Sequence, residues 1–230
     1  MEKRAEKTSA VVWDLPTRVF HWVLAATFVG AFFTADSERL RDVHVTLGYT
    51  MLGLVAFRLL WGVIGTRYAR FTSFAFGARS VLDYLKSLFS RSPQRYLGHN
   101  PAGSWAIYAL IALAVAAGVT GYATYNEIGG LEELHEGLAN ALLAAVFVHI
   151  AGVLVSSLIH RENLVWSMIN GLKRGDPGEG IRYRHRIVAA ALVLAIAGYW
   201  IGGANFFASD FGSGPDALLA RKHAERESNN

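Results

Sequence analysis

Residues 132–160 read EELHEGLANALLAAVFVHIAGVLVSSLIH, and from Gly137 to His160 this stretch contains no Asp, Glu, Lys or Arg. Twenty-four consecutive residues of this kind form a helix of roughly 36 Å, which is long enough to cross the ~30 Å hydrocarbon core of a bilayer. The stretch therefore predicts a membrane-spanning helix.

Two histidines lie inside this predicted span. His135 and His149 are fourteen residues apart, which places them within roughly 40° of each other on one helix face and about 21 Å apart along it. An imidazole inside a membrane is costly and by default indicates a functional site, although each ring could instead hydrogen-bond a neighbouring helix. The spacing favours haem ligands at two depths, provided that other helices supply two further histidines.

The composition indicates a membrane protein and narrows the choice of cofactor. Of the 230 residues, 53% are hydrophobic and 17% are charged, compared with about 45–50% and 25% in soluble domains. The absence of cysteine excludes disulfides, thiolate iron–sulfur clusters, cysteine-bearing zinc sites and covalent haem attachment. The 22 Lys and Arg residues lie between apolar runs and not along one soluble face, so they indicate membrane topology and not nucleic-acid binding.

Further apolar runs predict an all-α integral membrane protein with a four-helix transmembrane bundle and a fifth C-terminal transmembrane helix. In addition to the stretch above, spans are predicted at about 18–35, 44–65, 103–123 and 187–209, with an amphipathic interfacial helix at about 78–90. A basic start before an apolar run is also typical of a signal peptide, but Arg18, His21 and Trp22 at its mouth favour a retained span. The chain is predicted to comprise an N-terminal segment at 1–17, a four-helix domain at 18–175, the fifth helix with its lead-in at 176–209 and a polar tail at 210–230.

The distribution of Lys and Arg predicts the orientation in the membrane. The N-terminus and the connections 66–102 and 161–186 are rich in basic residues, whereas the link 36–42 has two and the loop 124–134 has none. By the positive-inside rule the N-terminus is cytoplasmic and the C-terminal tail is periplasmic. His21 and His149 then lie toward the cytoplasmic face, and His44 and His135 toward the outer face. These two pairs predict two bis-histidine haems that span the membrane.

One intramembrane arginine extends this pattern. Arg58 follows His44 by fourteen residues, as His149 follows His135, and a cation at that depth needs an anionic partner such as a haem propionate. The alternative is a side chain that snorkels to the cytoplasmic headgroups. Met51 is predicted to be packing and His99 to have a loop or capping role, and no ligand role is predicted for the remaining histidines, His160, His185 and His223.

These residues lie in motifs that together resemble the bacterial cytochrome b561 family, which includes the cytochrome b subunits of membrane-bound nickel–iron hydrogenases. The motifs are WDLPTRVFHW from Trp13, HVTLGY from His44, FRLLWG from Phe57, HNP from His99, the two histidines His135 and His149, and RENL from Arg161. The resemblance covers roughly residues 11–175. It implies a four-helix cytochrome b domain with b-type haem between histidines, and its ligand roles fall on His21, His44, His135 and His149.

The favoured function is therefore that of a dihaem b-type cytochrome in a bacterial inner membrane, with non-covalent haem b. It is expected to transfer electrons between ubiquinone or menaquinone and a periplasmic or membrane redox partner, with no catalytic residue. Quinone is expected to react near His21, Trp22 and His99. The alternatives are an outer-surface oxidoreductase acting on a small species such as superoxide, the cytochrome subunit of a hydrogenase-like complex, and a transporter or assembly protein whose histidines relay protons or bind metal.

Acidic residues near His135 predict a partner surface. Glu127, Glu132, Glu133 and Glu136 form a cluster of one sign, which steers a complementary protein such as a basic-faced periplasmic c-type cytochrome. A solvated loop is the alternative reading, and Arg39 and Arg41 on the neighbouring link weaken the field. Membrane lipid is a further expected partner. A homodimer is also compatible with the sequence, since Gly198 and Gly202 form a GxxxG motif that allows close helix contact.

Overall fold

The computed structural model describes residues 8–211, and the side chains of residues 8–202. The described part contains seven helices: α1 Leu15–Thr34, α2 Arg41–Ile64, α3 Ala78–Ser87, α4 Pro101–Tyr125, α5 Glu132–His160, α6 Leu164–Asn170 and α7 Arg186–Phe211. It also contains two short strands, β1 Ser9–Val11 and β2 Leu172–Arg174. His223 and nearly all of the predicted tail lie outside the described residues.

Four helices are long and apolar enough to cross a membrane: Leu15–Thr34, Glu38–Ile64, Pro101–Tyr125 and Glu132–His160. They correspond to the four predicted spans of the bundle, so the prediction of a multi-pass helical membrane protein is confirmed. Within α7, the apolar part with described side chains is the shorter segment Arg186–Gly202. A fifth span therefore stays a prediction.

Side-chain caps and prolines fix where two of the spans begin. The carboxylate of Asp14 accepts a hydrogen bond from Thr17 N at 2.8 Å, and Pro16 lies in the first turn of α1. The side chain of Asn100 likewise accepts from Gly103 N at 2.7 Å, and α4 begins at Pro101. The first turn of a helix has unpaired backbone N–H groups, which the caps satisfy and which proline lacks.

The packing order of the bundle brings α5 closest to α4. Helix α1 packs along α2, α2 packs against α4, and α4 packs along α5. In the described part of the chain, α5 does not pack along α1 or α2. His135 and His149 therefore lie on a helix whose backbone stays apart from those of α1 and α2, which carry His21 and His44.

The helices run alternately, so each end of the bundle collects four helix ends. Helices α1 and α4 begin, and α2 and α5 end, at the end that carries His21, which we name the His21 end. The opposite end carries His44 and is named the His44 end. These names describe the bundle alone and imply no side of a membrane.

A two-stranded sheet anchors the N-terminal segment at the His21 end. Strands β1 and β2 are antiparallel, with Val11 opposite Leu172. The backbone N–H groups of Val12 and Trp13 donate to the carbonyl of Gly171 at 2.8 and 3.2 Å. Gly171 ends α6 at φ +85°, a conformation that favours glycine. Residues 9–14, which the sequence assigns to a segment separate from the four-helix domain, thus pack into it.

The chain divides into two compact units between Ala189 and Ala190, inside α7. The predicted division lies earlier, between residues 175 and 176. Residues 176–189 belong to the first unit because backbone hydrogen bonds hold them there: Ile181 N donates to Val11 O at 2.8 Å, and Leu15 N donates to Arg184 O at 3.1 Å.

Candidate functional site

The imidazoles of His44 and His135 face each other at the His44 end. Their ring centroids are 6.3 Å apart and their planes are nearly perpendicular, at 82°. A metal–nitrogen bond of about 2.0 Å to each ring, with each centroid about 1.1 Å behind its nitrogen, gives a separation of roughly 6 Å for two imidazoles on one iron. The observed separation therefore fits an iron held between the two rings.

The backbone fixes which nitrogen of each ring is available. Nδ1 of His44 bonds the carbonyl of Ala31 on α1 at 2.8 Å, and Nδ1 of His135 bonds the carbonyl of Ala117 on α4 at 2.9 Å. A carbonyl oxygen only accepts, so both Nδ1 atoms carry a proton. Each Nε2 then has a free lone pair, and such a second hydrogen bond is what typically orients a metal-bound histidine.

The second pair, His21 and His149, lies at the other end of the bundle. Both residues are partly buried and lie close enough for their charges to interact, but their rings are not in contact in the described structure. Nδ1 of His21 is buried without a hydrogen-bond partner, and the ring stands edge-on to Trp22 at 5.1 Å. The structure thus brings these two histidines to one end of the bundle but does not close them on each other as it does His44 and His135.

Arg58 is buried near this end. The residue is only 4% exposed, and its guanidinium lies over the ring of Phe71 at 4.7 Å and near that of Phe74 at 5.8 Å. Its Nη1 atom is buried without a hydrogen-bond partner. A buried donor without a hydrogen-bond partner lowers the stability of the fold. A guanidinium group forms its strongest hydrogen bonds with a carboxylate. The unpaired atom therefore fits a propionate of a bound haem, and the buried side chain does not support snorkelling.

A hydrophobic layer separates the two histidine levels. Leu142 on α5 lies seven residues from both His135 and His149, and it is buried together with Val55 and Ala114. Partly buried neighbours from three helices complete the layer: Leu24, Phe28, Met51, Leu110, Ile111, Leu113 and Val115. Met51 is thus a packing residue, as predicted from the sequence.

His99 lies deeper in the structure than a loop role would suggest. Its ring lies between those of Trp13 and Phe74, at centroid distances of 4.6 and 4.5 Å. Burial first, and then the positive charges of Arg58 and Lys173, lower the pKa of His99 to about 3, with His149 and His21 contributing further. His99 is therefore neutral at physiological pH. The cap of α4 is its neighbour Asn100, not His99.

The acidic residues and the remaining histidines lie near the ends of the bundle. Glu127, Glu132, Glu133 and Glu136 are all exposed at the His44 end. His160 ends α5 and is partly buried, whereas His185 is exposed and contacts Trp61 edge-on at 5.3 Å.

Two features of the site were not predicted from the sequence. They are the hydrogen bonds to the carbonyls of Ala31 and Ala117, and the burial of Lys173. No group of three or more His, Cys, Asp or Glu side chains suited to a free metal ion occurs among the described residues.

Comparison with known proteins finds one matching family. The model of the family described as prokaryotic cytochrome b561 matches residues 12–171, which include all four histidines and Arg58. No solved structure matches the chain.

Among the relatives are proteins named "Probable Ni/Fe-hydrogenase B-type cytochrome subunit". The protein of Rhizobium leguminosarum bv. viciae is 22% identical, and the match covers 74% of this chain and 91% of that protein. The protein of Rhodobacter capsulatus is 25% identical, with coverage of 74% and 84%. A match to the Escherichia coli (strain K12) protein named "Probable Ni/Fe-hydrogenase 1 B-type cytochrome subunit" is 24% identical and covers 55% of this chain and 64% of that protein. This chain therefore belongs to the prokaryotic cytochrome b561 family, a family of membrane b-type cytochromes that bind haem and transfer electrons.

Proposed function

We propose that the protein binds two b haems and carries electrons along the bundle between the quinone pool and a redox partner. One observation supports this most directly: His44 and His135 face each other at 6.3 Å with each Nδ1 bonded to a backbone carbonyl. The second haem lies between His21 and His149, about 21 Å away along α5, with Arg58 beside it.

His44 and His135 would hold a haem through their Nε2 atoms, and that haem would supply reversible one-electron chemistry. The carbonyls of Ala31 and Ala117 hold the rings of His44 and His135 in place, so little rearrangement accompanies electron transfer. The layer around Leu142 keeps water out of the space between the two levels. Ligation by two histidines would favour electron transfer over direct chemistry on a small species such as superoxide.

Quinone exchange is proposed at the His21 end. Trp22 is 42% exposed, its Nε1 donates to the carbonyl of Met168 at 3.2 Å, and its ring touches His21. An exposed apolar ring beside a ligand histidine offers an approach from the lipid, and the polar groups of His99 and Lys173 lie at the same end of the bundle. Quinone chemistry requires such a combination of an apolar slot and hydrogen-bonding groups.

The proposed partner is a redox subunit or a periplasmic c-type cytochrome that docks at the His44 end. The second candidate function is that this chain is itself the cytochrome subunit of a hydrogenase-like complex. The names of the relatives favour this candidate. In this proposal the N-terminus is cytoplasmic in a bacterial inner membrane, and α7 is a fifth span that could mediate contact with a partner or a second copy.

Haem stoichiometry in detergent tests the proposal. Two haems per chain with low-spin spectra are expected by pyridine haemochrome analysis. His44→Ala or His135→Ala should each leave one haem, and His21→Ala or His149→Ala should each remove the other. His160→Ala, on the same helix as two of the ligands, is the matched control and should retain both. One haem per chain in the wild type, or two in His44→Ala, would overturn the pairing.

A further inference from the structure

A buried lysine lies at the His21 end, outside the histidine pairs. Lys173 in β2 is 8% exposed, and its Nζ donates to the carbonyls of Tyr96 at 3.0 Å and Gly98 at 3.3 Å. Gly98 precedes His99, so the ammonium group lies next to the histidine that packs between Trp13 and Phe74. Lysines are rarely buried in this way, and two carbonyl partners leave one N–H of the ammonium group for another acceptor.

A small polar cavity adjoins this ammonium group. Its volume is about 30 Å³, which is enough for a water molecule or two. Ionisable side chains from four separate segments line it: Tyr84, Arg95, Tyr96, His160, Glu162 and Lys173. A cavity with so many polar partners is suited to hold water that links the side chains.

Glu162 connects the cavity to the surface. It accepts hydrogen bonds from Arg95 Nη2 at 3.3 Å and from Arg174 N at 2.6 Å. The side chain of Glu162 is 10% exposed and that of Arg95 is 52% exposed. Glu162, His160 and Lys173 all line this cavity, so ionisable groups lie between the exposed Arg95 and the neighbourhood of His99.

The local charges suit Lys173 to exchange protons. Burial lowers the pKa of Lys173 to about 8, opposed by the attraction of Glu162 and assisted by the repulsion of Arg95. A proton carrier works best when its pKa lies near the working pH. The charged or titratable groups that face Lys173 are Arg95, Tyr96, His99, His160 and Glu162, with Tyr84 across the cavity.

We propose that Glu162, His160 and Lys173 form a proton relay between the surface and the His21 end of the bundle. The inference rests on the proposed quinone exchange there. When a quinol is oxidised, two O–H bonds break, two electrons pass one at a time to the haem that His21 and His149 would hold, and two protons pass through Lys173, His160 and Glu162 to water. Quinone reduction reverses each step. A purely structural role for Lys173, as a charge that holds the carbonyls of Tyr96 and Gly98 together, is the competing explanation.

Two substitutions of Lys173 separate these roles. Lys173→Arg keeps the positive charge and the donors to both carbonyls, but arginine does not release its proton near neutral pH. Lys173→Met loses both charge and donors. A relay predicts that both variants slow the proton-linked reaction, whereas a structural role predicts that Lys173→Arg behaves as the wild type. Glu162→Gln tests the outer group, and Lys86→Met, at an exposed lysine on α3, is the matched control.

The experiment uses full-length, haem-loaded protein in lipid nanodiscs, with decylubiquinol as the probe. Haem reduction is followed by absorbance, and proton release by a pH-indicator dye in weak buffer. Variants are first checked for unchanged haem content and thermal midpoint. We expect Lys173→Arg, Lys173→Met and Glu162→Gln to slow proton release and haem reduction by about 10-fold or more. In Lys173→Ala, methylamine should restore part of the rate.

The outcomes distinguish the two proposals. If the wild-type haems are not reduced by the quinol, the quinone function and the relay that rests on it are both overturned. If the wild type reacts and releases protons while Lys173→Arg and Glu162→Gln do so at the same rate, the quinone function stands and the relay is overturned. If Lys173→Met alone is slow, Lys173 has the structural role.

Discussion

A Cβ atom added to Gly121 on α4 would lie 2.8 Å from Cε1 of His135. No side chain fits there without moving the imidazole, so we expect Gly121→Ala to tilt His135 away from its bond to Ala117. The haem proposed between His44 and His135 should then show a shifted potential or partial loss, while the second proposed haem is unaffected. Redox titration with optical detection measures both.

Gly53→Ala is the matched control for this substitution. Gly53 is exposed on α2, nine residues after His44 and so on the opposite helix face, and a Cβ there meets no atom within 4 Å. The Gly53→Ala variant should leave the redox potentials of both proposed haems unchanged. Equal spectra and potentials in Gly121→Ala and the wild type would mean that His135 does not hold the haem in the observed orientation.

The burial of Arg58 predicts an electrostatic effect on the haem at the His21 end. Replacing Arg58 by Leu removes a positive charge that favours the reduced state, so the potential of that haem should fall. A charge at ~10 Å contributes roughly 1–2 kcal/mol at an effective dielectric constant of ~20, which corresponds to a decrease on the order of 50 mV. Spectroelectrochemical titration measures the change.

Arg58→Lys separates charge from contact. Lysine keeps the charge but loses the planar stacking over Phe71, so it should restore most of the potential. An unchanged potential in Arg58→Leu would place the guanidinium too far from the haem to act on it.

The helices could be predicted from sequence because long charge-free runs have few alternatives to membrane helices. Helix α5, Glu132–His160, contains the whole charge-free run 137–160 from which the span was predicted. Helix α1 begins three residues before its prediction because Asp14 caps it, and α4 begins at Pro101 because Asn100 caps it. These caps are local interactions that hydropathy does not register.

The site could be predicted only as far as residue type and depth. Spacing places His44 and His135 at one level, and the structure brings their rings together, but ligation itself stays a proposal. Their hydrogen bonds to Ala31 and Ala117 depend on how the helices rotate and slide against each other, which no side-chain pattern encodes. Lys173 lies in a basic stretch that reads as solvated, and only the pairing of β1 with β2 and the loop carbonyls around its Nζ reveal that it is buried.

The dependence of stability on acid pH should report the protonation of the partly buried His99. The pKa of His99 is about 3 in the folded protein and about 6.5 when unfolded, so between these values the unfolded chain binds more protons. The stability that the neutral imidazole contributes is complete above pH 6.5 and falls by about 1.4 kcal/mol per pH unit below it. His99→Phe should keep the contacts with Trp13 and Phe74 and remove this part of the pH dependence.

Thermal midpoints in detergent from pH 7 to pH 4.5 test this prediction. His99→Ala is the companion variant, because it loses both the ring contacts and the titrating group. It should be less stable than His99→Phe at every pH, with the same weak slope. If wild type and His99→Phe lose stability in parallel on acidification, His99 does not cause the loss.

The exposed acidic residues at the His44 end predict how a partner docks. Glu132 and Glu133 begin α5 beside His135, and a cluster of one sign near a haem raises the encounter rate of a basic partner. The positive charge of Arg41 opposes the negative charge of the cluster. Its guanidinium lies over the ring of Tyr125 at 5.9 Å. Charges at 0.15 M salt act over about 8 Å, so only a protein that docks on the cluster would sense it.

Stopped-flow electron exchange with a basic c-type cytochrome, across a salt series, tests this docking surface. The wild-type rate should fall as salt increases, and Glu132→Gln/Glu133→Gln should lower the low-salt rate and flatten the dependence. The matched control is Asp83→Asn, at an exposed carboxylate on α3 paired with Arg79, and it should retain the wild-type salt series. Rates that respond neither to salt nor to the double substitution would mean that the four glutamates form a solvated loop and that the partner docks elsewhere.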